Sequence, residues 1–191
     1  MSREDPQHSS RTCGFFDTGV SRAEYSLELV PQQTRIQFTI SDTLHTVQGS
    51  FHLKRGTIDF NTDTGHASGQ VVVDVTSGES GSDARDSRMQ ANVLESKKYP
   101  EAVFVPDHVD GTFLAPGNSS LKVHGLFTIH GAAHEMTMNV QTASTDARSQ
   151  ARMTFEIPYV AWGMKDPSNF LLKVGKSIQM TINTSGALQQ R

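Results

Sequence analysis

The sequence predicts an all-β protein: a single antiparallel β-barrel of about eight strands, carrying a short helical insertion near residues 83–95. Three observations predict it. Apolar residues recur with period two from Tyr25 onward, and the runs are joined largely by short turn-rich stretches. One of these runs, Val71-Val72-Val73-Asp74-Val75, gives way at Ser82-Asp83-Ala84-Arg85-Asp86 to a capped helix. A single helix set into alternating strands suits a barrel or sandwich with a lid better than a repetitive array. Strands with one apolar face joined by short turns are antiparallel, and this number of them closes on itself and removes exposed edges.

The strands follow in order. Ile36, Phe38 and Ile40 alternate with Arg35, Gln37, Thr39 and Ser41, then Val47, Gly49, Phe51 and Leu53 alternate with Thr46, Gln48, Ser50 and His52. Successive strand side chains point to opposite faces, so each run presents one apolar face. Ile58 and Phe60, then Val71, Val73 and Val75, continue the series around the turn-forming stretch Asn61 to Gly65. Val103 and Val105, then Val109, Gly111 and Phe113, flank Pro106-Asp107, which reads as a tight connection. Leu121, Val123, Gly125, Phe127 and Ile129 form an unbroken row, answered by Met136, Met138 and Val140 across the turn His130-Gly131-Ala132-Ala133. Met153, Phe155 and Ile157 precede Pro158, and Ile178, Met180 and Ile182 end the ordered chain.

The helix has a local signature. Ser82 or Asp83 serves as N-cap, Asp86 places an acid in the first turn, and Met89 and Val93 lie one turn apart. Tyr99-Pro100 stops it. A helix this short depends on docking, so Met89, Val93 and Leu94 are expected to press onto one end of the barrel.

Composition narrows the function classes. The 191 residues suit one domain, residues 24–188, behind a disordered leader at residues 1–23 whose early stretch is polar. No segment supplies the apolar run of a secretory signal or a membrane span, which by sequence alone places the chain in the cytoplasm. Cys13 is the single cysteine and has no internal partner. The net charge of −3 and the absence of a basic concentration argue against a nucleic-acid partner.

Histidine is where an enzyme would begin. His45, His124, His130 and His134 are candidates for a metal or acid–base cluster, and His130 and His134 bracket a tight turn. Neither a His-Glu-x-x-His helix nor a cysteine pair accompanies them, so hydrogen bonding that ties turns to neighbouring backbone is the reading preferred over metal ligation. No Gly-x-Ser-x-Gly elbow is present, and no catalytic residue is assigned.

The chain resembles the YceI-like family of small lipid-binding proteins. The likeness is carried by Gly49-Ser50-Phe51, Gly56-Thr57-Ile58-Asp59-Phe60, Arg85-Asp86 with Met89, and Lys98-Tyr99-Pro100 running into Val103-Phe104. Val123-His124-Gly125-Leu126-Phe127-Thr128-Ile129-His130-Gly131 and Trp162-Gly163 complete it, from about Tyr25 to Ala187. The resemblance implies a lipocalin-like barrel holding a polyisoprenoid (a polyprenol, for example), an isoprenoid quinone or a fatty-acyl chain, by binding for transport or storage. It implies no cofactor and no metal, and a periplasmic location for many relatives.

The residues alone serve two interiors equally, a filled core or an open cavity, and the resemblance selects the cavity. The side chains assigned to its wall are Phe38, Ile40, Val47, Phe51, Val73, Met89, Val123, Phe127, Met138, Phe155, Trp162 and Met180. Arg85, Asp86 and Lys165 are the headgroup candidates, since guanidinium suits phosphate or carboxylate. For Arg85 and Asp86, a helix cap with a local ion pair is the simpler reading. A His-centred, metal-assisted enzyme and a filled barrel acting as an interaction module are the alternatives. A homodimer through an exposed strand or the helix is compatible with the pattern.

Overall fold

The computed structural model describes residues 24–43, 45–170 and 173–191; the leader expected over residues 1–23, with Cys13, lies outside them. The described chain forms β1 (Glu24–Leu29), β2 (Arg35–Ser41), β3 (Thr46–Asn61), β4 (Ala67–Glu79), α1 (Asp83–Arg88), β5 (Glu101–Asp110), β6 (Gly117–Ile129), β7 (Ala132–Ser144), β8 (Arg148–Ile157) and β9 (Ile178–Gln190). All pairings are antiparallel, and β3 to β9 run round the barrel as neighbours in chain order.

Nine strands make eight staves because β1 and β2 share one. β1 pairs with the stretch of β3 from Thr57 to Asn61 and with β9 from Gly186 to Gln190. β2 pairs with β3 from Thr46 to Phe51 and with β9 from Gln179 to Asn183. Between them the 3₁₀ turn Pro31–Gln33 breaks the stave, with proline at its start where the missing N–H costs nothing. The result is a closed eight-stranded lipocalin-like barrel with one short helix. The alternation read from the sequence is the reason it closes inward: Ile36 and Phe38 are buried on β2 while Arg35 and Gln37 face solvent.

Three expectations need correction. Pro106-Asp107 is not a connection: β5 runs through it to Asp110, and the register slips by one residue between Pro106 and His108. A bulge accommodates proline, which cannot donate to a ladder. Gly111 and Phe113 accordingly fall in the connection to β6 rather than in a strand. The turn read as His130-Gly131-Ala132-Ala133 is two residues, His130 and Gly131, with φ of 52° and 77°, and Ala132 already pairs with Ile129. Two positive φ values in a two-residue loop match the twist of the flanking strands, and glycine takes the second without strain. Finally, β9 does not end at Ile182 but continues to Gln190; its inward positions there include Thr184 and Gly186, so the large-apolar signal fades while the strand does not.

The β5 bulge is tied across to β6. Asp107 Oδ1 lies 2.6 Å from His124 Nδ1, and this hydrogen bond, together with the charge of Asp107, raises the His124 pKa above its ordinary value. A raised folded-state pKa gives a contribution that is complete below the unfolded value of about 6.5 and lost as pH rises through the folded value. His124→Gln should therefore lower Tm relative to the parent at about pH 6 and converge with it above about pH 8. A Tm difference that is constant across that range would show that this pair does not titrate as described. Both groups are substantially exposed, so the effect will be small.

The helical insertion leaves β4 at Glu79 and returns at Glu101. Ser82 occupies the N-cap position but makes no side-chain cap hydrogen bond. Asp86 instead reaches back to Ser80, accepting from its amide at 3.1 Å and from its hydroxyl. Burial raises the Asp86 pKa, but the Ser80 hydrogen bonds and the neighbouring Arg85 charge outweigh it and hold the carboxyl below the usual range. After α1 the chain continues as one π-helical turn, Met89–Val93. Gln90 Nε2 donates to the Val75 carbonyl at 3.0 Å, and Glu95 Oε2 lies 2.9 Å from His130 Nε2, so the insertion is fastened to β4 and to the β6–β7 turn.

The interior divides in two. The larger cluster of buried apolar residues includes Ile36, Phe38, Leu53, Val75, Ile129, Ile157 and Met180, with Met89, Val93 and Leu94 of the insertion packed against it. A second centres on Phe104, Met138 and Val140, joined by Val123, Met136 and Met153. Tyr25, Phe60 and Phe113 form a separate aromatic trio with ring centroids 5.0–5.5 Å apart.

Candidate ligand-binding cavity

A cavity of about 750 Å³ opens at the end of the barrel that carries the helical insertion and the β8–β9 connection. Every stave except β7 contributes wall. β2 supplies Ile36, Phe38 and Ile40; β3 Val47 and Phe51; β4 Val73 and Val75; β5 Ala102. β6 supplies Phe127 and Ile129, β8 Phe155 and Ile157, and β9 Ile178, Met180 and Ile182. Met89 and Val93 from the π-helical turn, with Leu94 just after it, cover one side of the mouth, and Tyr159 and Met164 from the β8–β9 connection the other. The wall is apolar because period two on each strand sends one set of side chains inward, and aligned registers stack those sets.

Polar groups are confined to the rim: Asp42, Ser80, Ser82, Arg85, Arg88, Asn92, Lys165, Asp166, Ser168 and Asn169. Tyr159 is buried and donates its hydroxyl to the Gly175 carbonyl at 2.7 Å; burial, with the Asp166 charge, pushes its pKa up to about 12, so it stays neutral. Hydrogen bonds from Ser168 hold the Asp166 carboxyl below the usual carboxylate range. The rim thus carries both the cations Arg85, Arg88 and Lys165 and the acids Asp42 and Asp166.

Of the residues expected in the wall, Phe38, Ile40, Val47, Phe51, Val73, Met89, Phe127, Phe155 and Met180 line the cavity. Val123 and Met138 do not, because they belong to the second cluster below it. Trp162 stands one layer away: its ring lies 6.1 Å from Phe127 and stacks on His134 at 4.0 Å and 5°. Arg85 and Lys165 reach the rim, whereas the Asp86 carboxylate is turned to Ser80. Arg85 itself spends two donors on Ser80, Nε to the hydroxyl and Nη2 to the carbonyl, each at 2.7 Å.

Arg88 and Asn92 also reach the rim and were not singled out from the sequence. The signal was present: Arg85, Arg88 and Asn92 follow at helical spacing of three and four, which puts them on one face. The four histidines are dispersed to separate partners: His130 to Glu95, His124 to Asp107, His134 to Trp162, and His45 beside Asp42. Among the described residues, no group of three or more His, Cys, Asp or Glu side chains is placed to hold a metal ion. No helix among them is long and apolar enough to cross a membrane.

Fold and cavity together define a lipocalin-like barrel with an apolar cavity that opens at the end carrying the helical insertion. The chain belongs to the YceI family, the model of the YceI-like domain matching residues 27–185. Among solved structures, the chain is similar to Burkholderia cenocepacia BcnA, with a TM-score of 0.67 and 21% identity over 82% of this chain and 98% of that one. It is also similar to a polyisoprenoid-binding domain from Saccharophagus degradans implicated in plant cell wall breakdown, with a TM-score of 0.63 and 13% identity over 86% and 98%. The Campylobacter jejuni YceI protein matches with a TM-score of 0.62 and 16% identity over 76% and 86%. Among curated proteins, none matches the sequence.

Proposed function

We propose that this protein binds one long-chain apolar lipid, a polyisoprenoid, an isoprenoid quinone or a fatty-acyl lipid, inside the barrel for transport or storage, and performs no chemistry on it. The observation that carries this reading is the cavity of about 750 Å³ whose wall is apolar on seven staves and whose polar groups stand only at the rim. Burying a methylene contributes about 0.8 kcal/mol, so a long chain is held there without many directed contacts. The polyisoprenoid-binding domain among the similar structures supports the same ligand class. At the rim, Arg88 and Lys165 have no hydrogen-bond or ion-pair partner among the described residues and can meet a carboxylate, phosphate or quinone oxygen, while Arg85 is engaged in shaping the loop at Ser80.

Native mass spectrometry of the freshly purified protein, followed by organic extraction and identification of what was bound, tests this. A stoichiometric acyl or prenyl lipid is the expected result. A protein that arrives empty and takes up neither added quinone nor fatty acid would move the function to a barrel acting through its surface.

A further inference from the structure

We infer that the β8–β9 connection docks the mouth of the barrel onto an anionic lipid bilayer, with Phe170 as its apolar anchor and Lys165, Lys173 and Lys176 as its charged contacts. The inference rests on the proposal that the cavity carries a lipid, which a bilayer supplies or receives.

The anchor is the first observation. The Phe170 side chain is 95% exposed, whereas Val105, Leu114 and Leu126, the other exposed large apolar residues among those described, each keep more than half of their surface covered. A phenyl ring left in water forgoes a large burial gain, which contact with a bilayer recovers. Phe170 is presented from a fastened base. Before it in the chain, the Ser168 N–H donates to Asp166 Oδ1 at 2.8 Å, and after it the Val174 N–H donates to Ser168 Oγ at 2.9 Å. The Thr43 N–H donates to the Lys173 carbonyl at 3.0 Å, and the Lys173 N–H returns a bond to Thr43 Oγ1 at 3.1 Å. An antiparallel bridge between Asp42 and Val174 and a bond from the Gly175 N–H to the Ser41 carbonyl at 2.8 Å carry the end of β2 into this connection. Ser168 and Asn169, the residues just before Phe170, line the rim of the cavity, so the ring stands beside the mouth.

Charge selects the partner. Between residues 158 and 177 the charged side chains are Lys165, Asp166, Lys173 and Lys176, three cations against one acid in a chain whose net charge is −3. All three lysines are exposed, while Asp166 is partly buried and bonded to Ser168. Across the mouth, α1 adds no net charge, since Asp83 and Asp86 offset Arg85 and Arg88. One aromatic ring flanked by lysines suits a bilayer surface: the ring settles at headgroup depth and the ammonium groups meet the lipid phosphates. With a single ring and three lysines the attachment is reversible, as exchange of cargo requires.

The test is flotation of the full chain with vesicles of equal parts phosphatidylglycerol and phosphatidylcholine, and with vesicles of phosphatidylcholine alone. The protein should float with the anionic vesicles only, and raising the salt from about 0.05 to about 0.5 M should release it. Phe170→Ser should weaken vesicle binding at least about tenfold and Lys173→Gln about fivefold. Phe170→Trp, made in a Trp162→Phe background, should shift its emission to the blue when anionic vesicles are added. If that double variant does not fold, the flotation of Phe170→Ser decides. Wild-type protein that floats with neither vesicle overturns the docking and turns Phe170 toward a protein partner. Equal flotation with both vesicles overturns the role of the lysines, and a Phe170→Ser protein that floats like the parent overturns the anchor. Docking is read without reference to what fills the cavity: vesicle binding as expected in a protein that takes up no lipid overturns the carrier proposal and leaves the docking surface standing.

Discussion

Ala102→Phe is expected to leave the barrel folded while lowering lipid uptake at least about tenfold. Ala102 is buried on β5, pairs with Val73 on β4, and both line the chamber, so a benzyl group here projects into the cavity rather than into packed side chains. Displacing a few methylenes of ligand, at about 0.8 kcal/mol each, is enough for that loss. The two quantities to measure are Tm and stoichiometric uptake of a defined quinone or fatty acid. If the variant is destabilised by the 1–3 kcal/mol typical of overpacking, the space around Ala102 is not open in solution. A stable variant that binds as well as the parent would remove β5 from the wall.

Gly49→Val should destabilise the barrel by about 3 kcal/mol, a fall in Tm of roughly 6–12 °C for a chain of this size. Gly49 on β3 pairs with Phe38 on β2, and the aromatic ring lies over the glycine. A Cβ at this position would stand 2.3 Å from the Phe38 ring and 2.3 Å from the Glu79 carbonyl oxygen. The side chain can be displaced but the β4 backbone beyond it cannot yield cheaply, so the strain enters the β3–β4 ladder where its register already shifts. Thermal unfolding followed by circular dichroism measures it. A change of less than a degree would mean that Phe38 does not cover Gly49 as described.

Much of this architecture was legible because period two is a direct report of which side chains face inward. Ile36, Phe38, Phe51, Phe127 and Phe155 fall on one surface by their alternation alone, and most of the wall follows from them. Three kinds of feature were not legible. Pro106 reads as a break, yet a bulge carries it inside a strand, since only the register against Gly125 and His124 distinguishes the two. Thr34, Thr142 and Thr184 look like solvent-facing residues, so periodicity gives no sign that they continue the interior below the apolar rows. Val123 and Met138 share the inward face with the true wall residues, and whether an inward position borders space or another side chain depends on the tilt of the staves, which no single strand records.

The shared stave has a consequence for the order in which the molecule is made. Closure joins β1 and β2 to β9, and the Thr34 and Thr184 hydroxyls that meet across that seam are 150 residues apart in the chain. As the polypeptide emerges, β3 to β8 can zip together hairpin by hairpin, each pairing with the strand just made. The growing sheet nevertheless keeps the flank of β8 unpaired, and leaves β1 and β2 joined on one side only, until β9 arrives. The nascent protein is therefore an open ribbon with its greasy inner face in water for most of its synthesis, a form prone to edge-to-edge association. The barrel shuts in a single late, long-range step, so anything that delays β9, such as a slow stretch between residues 158 and 177, should cost yield of folded protein before it costs stability.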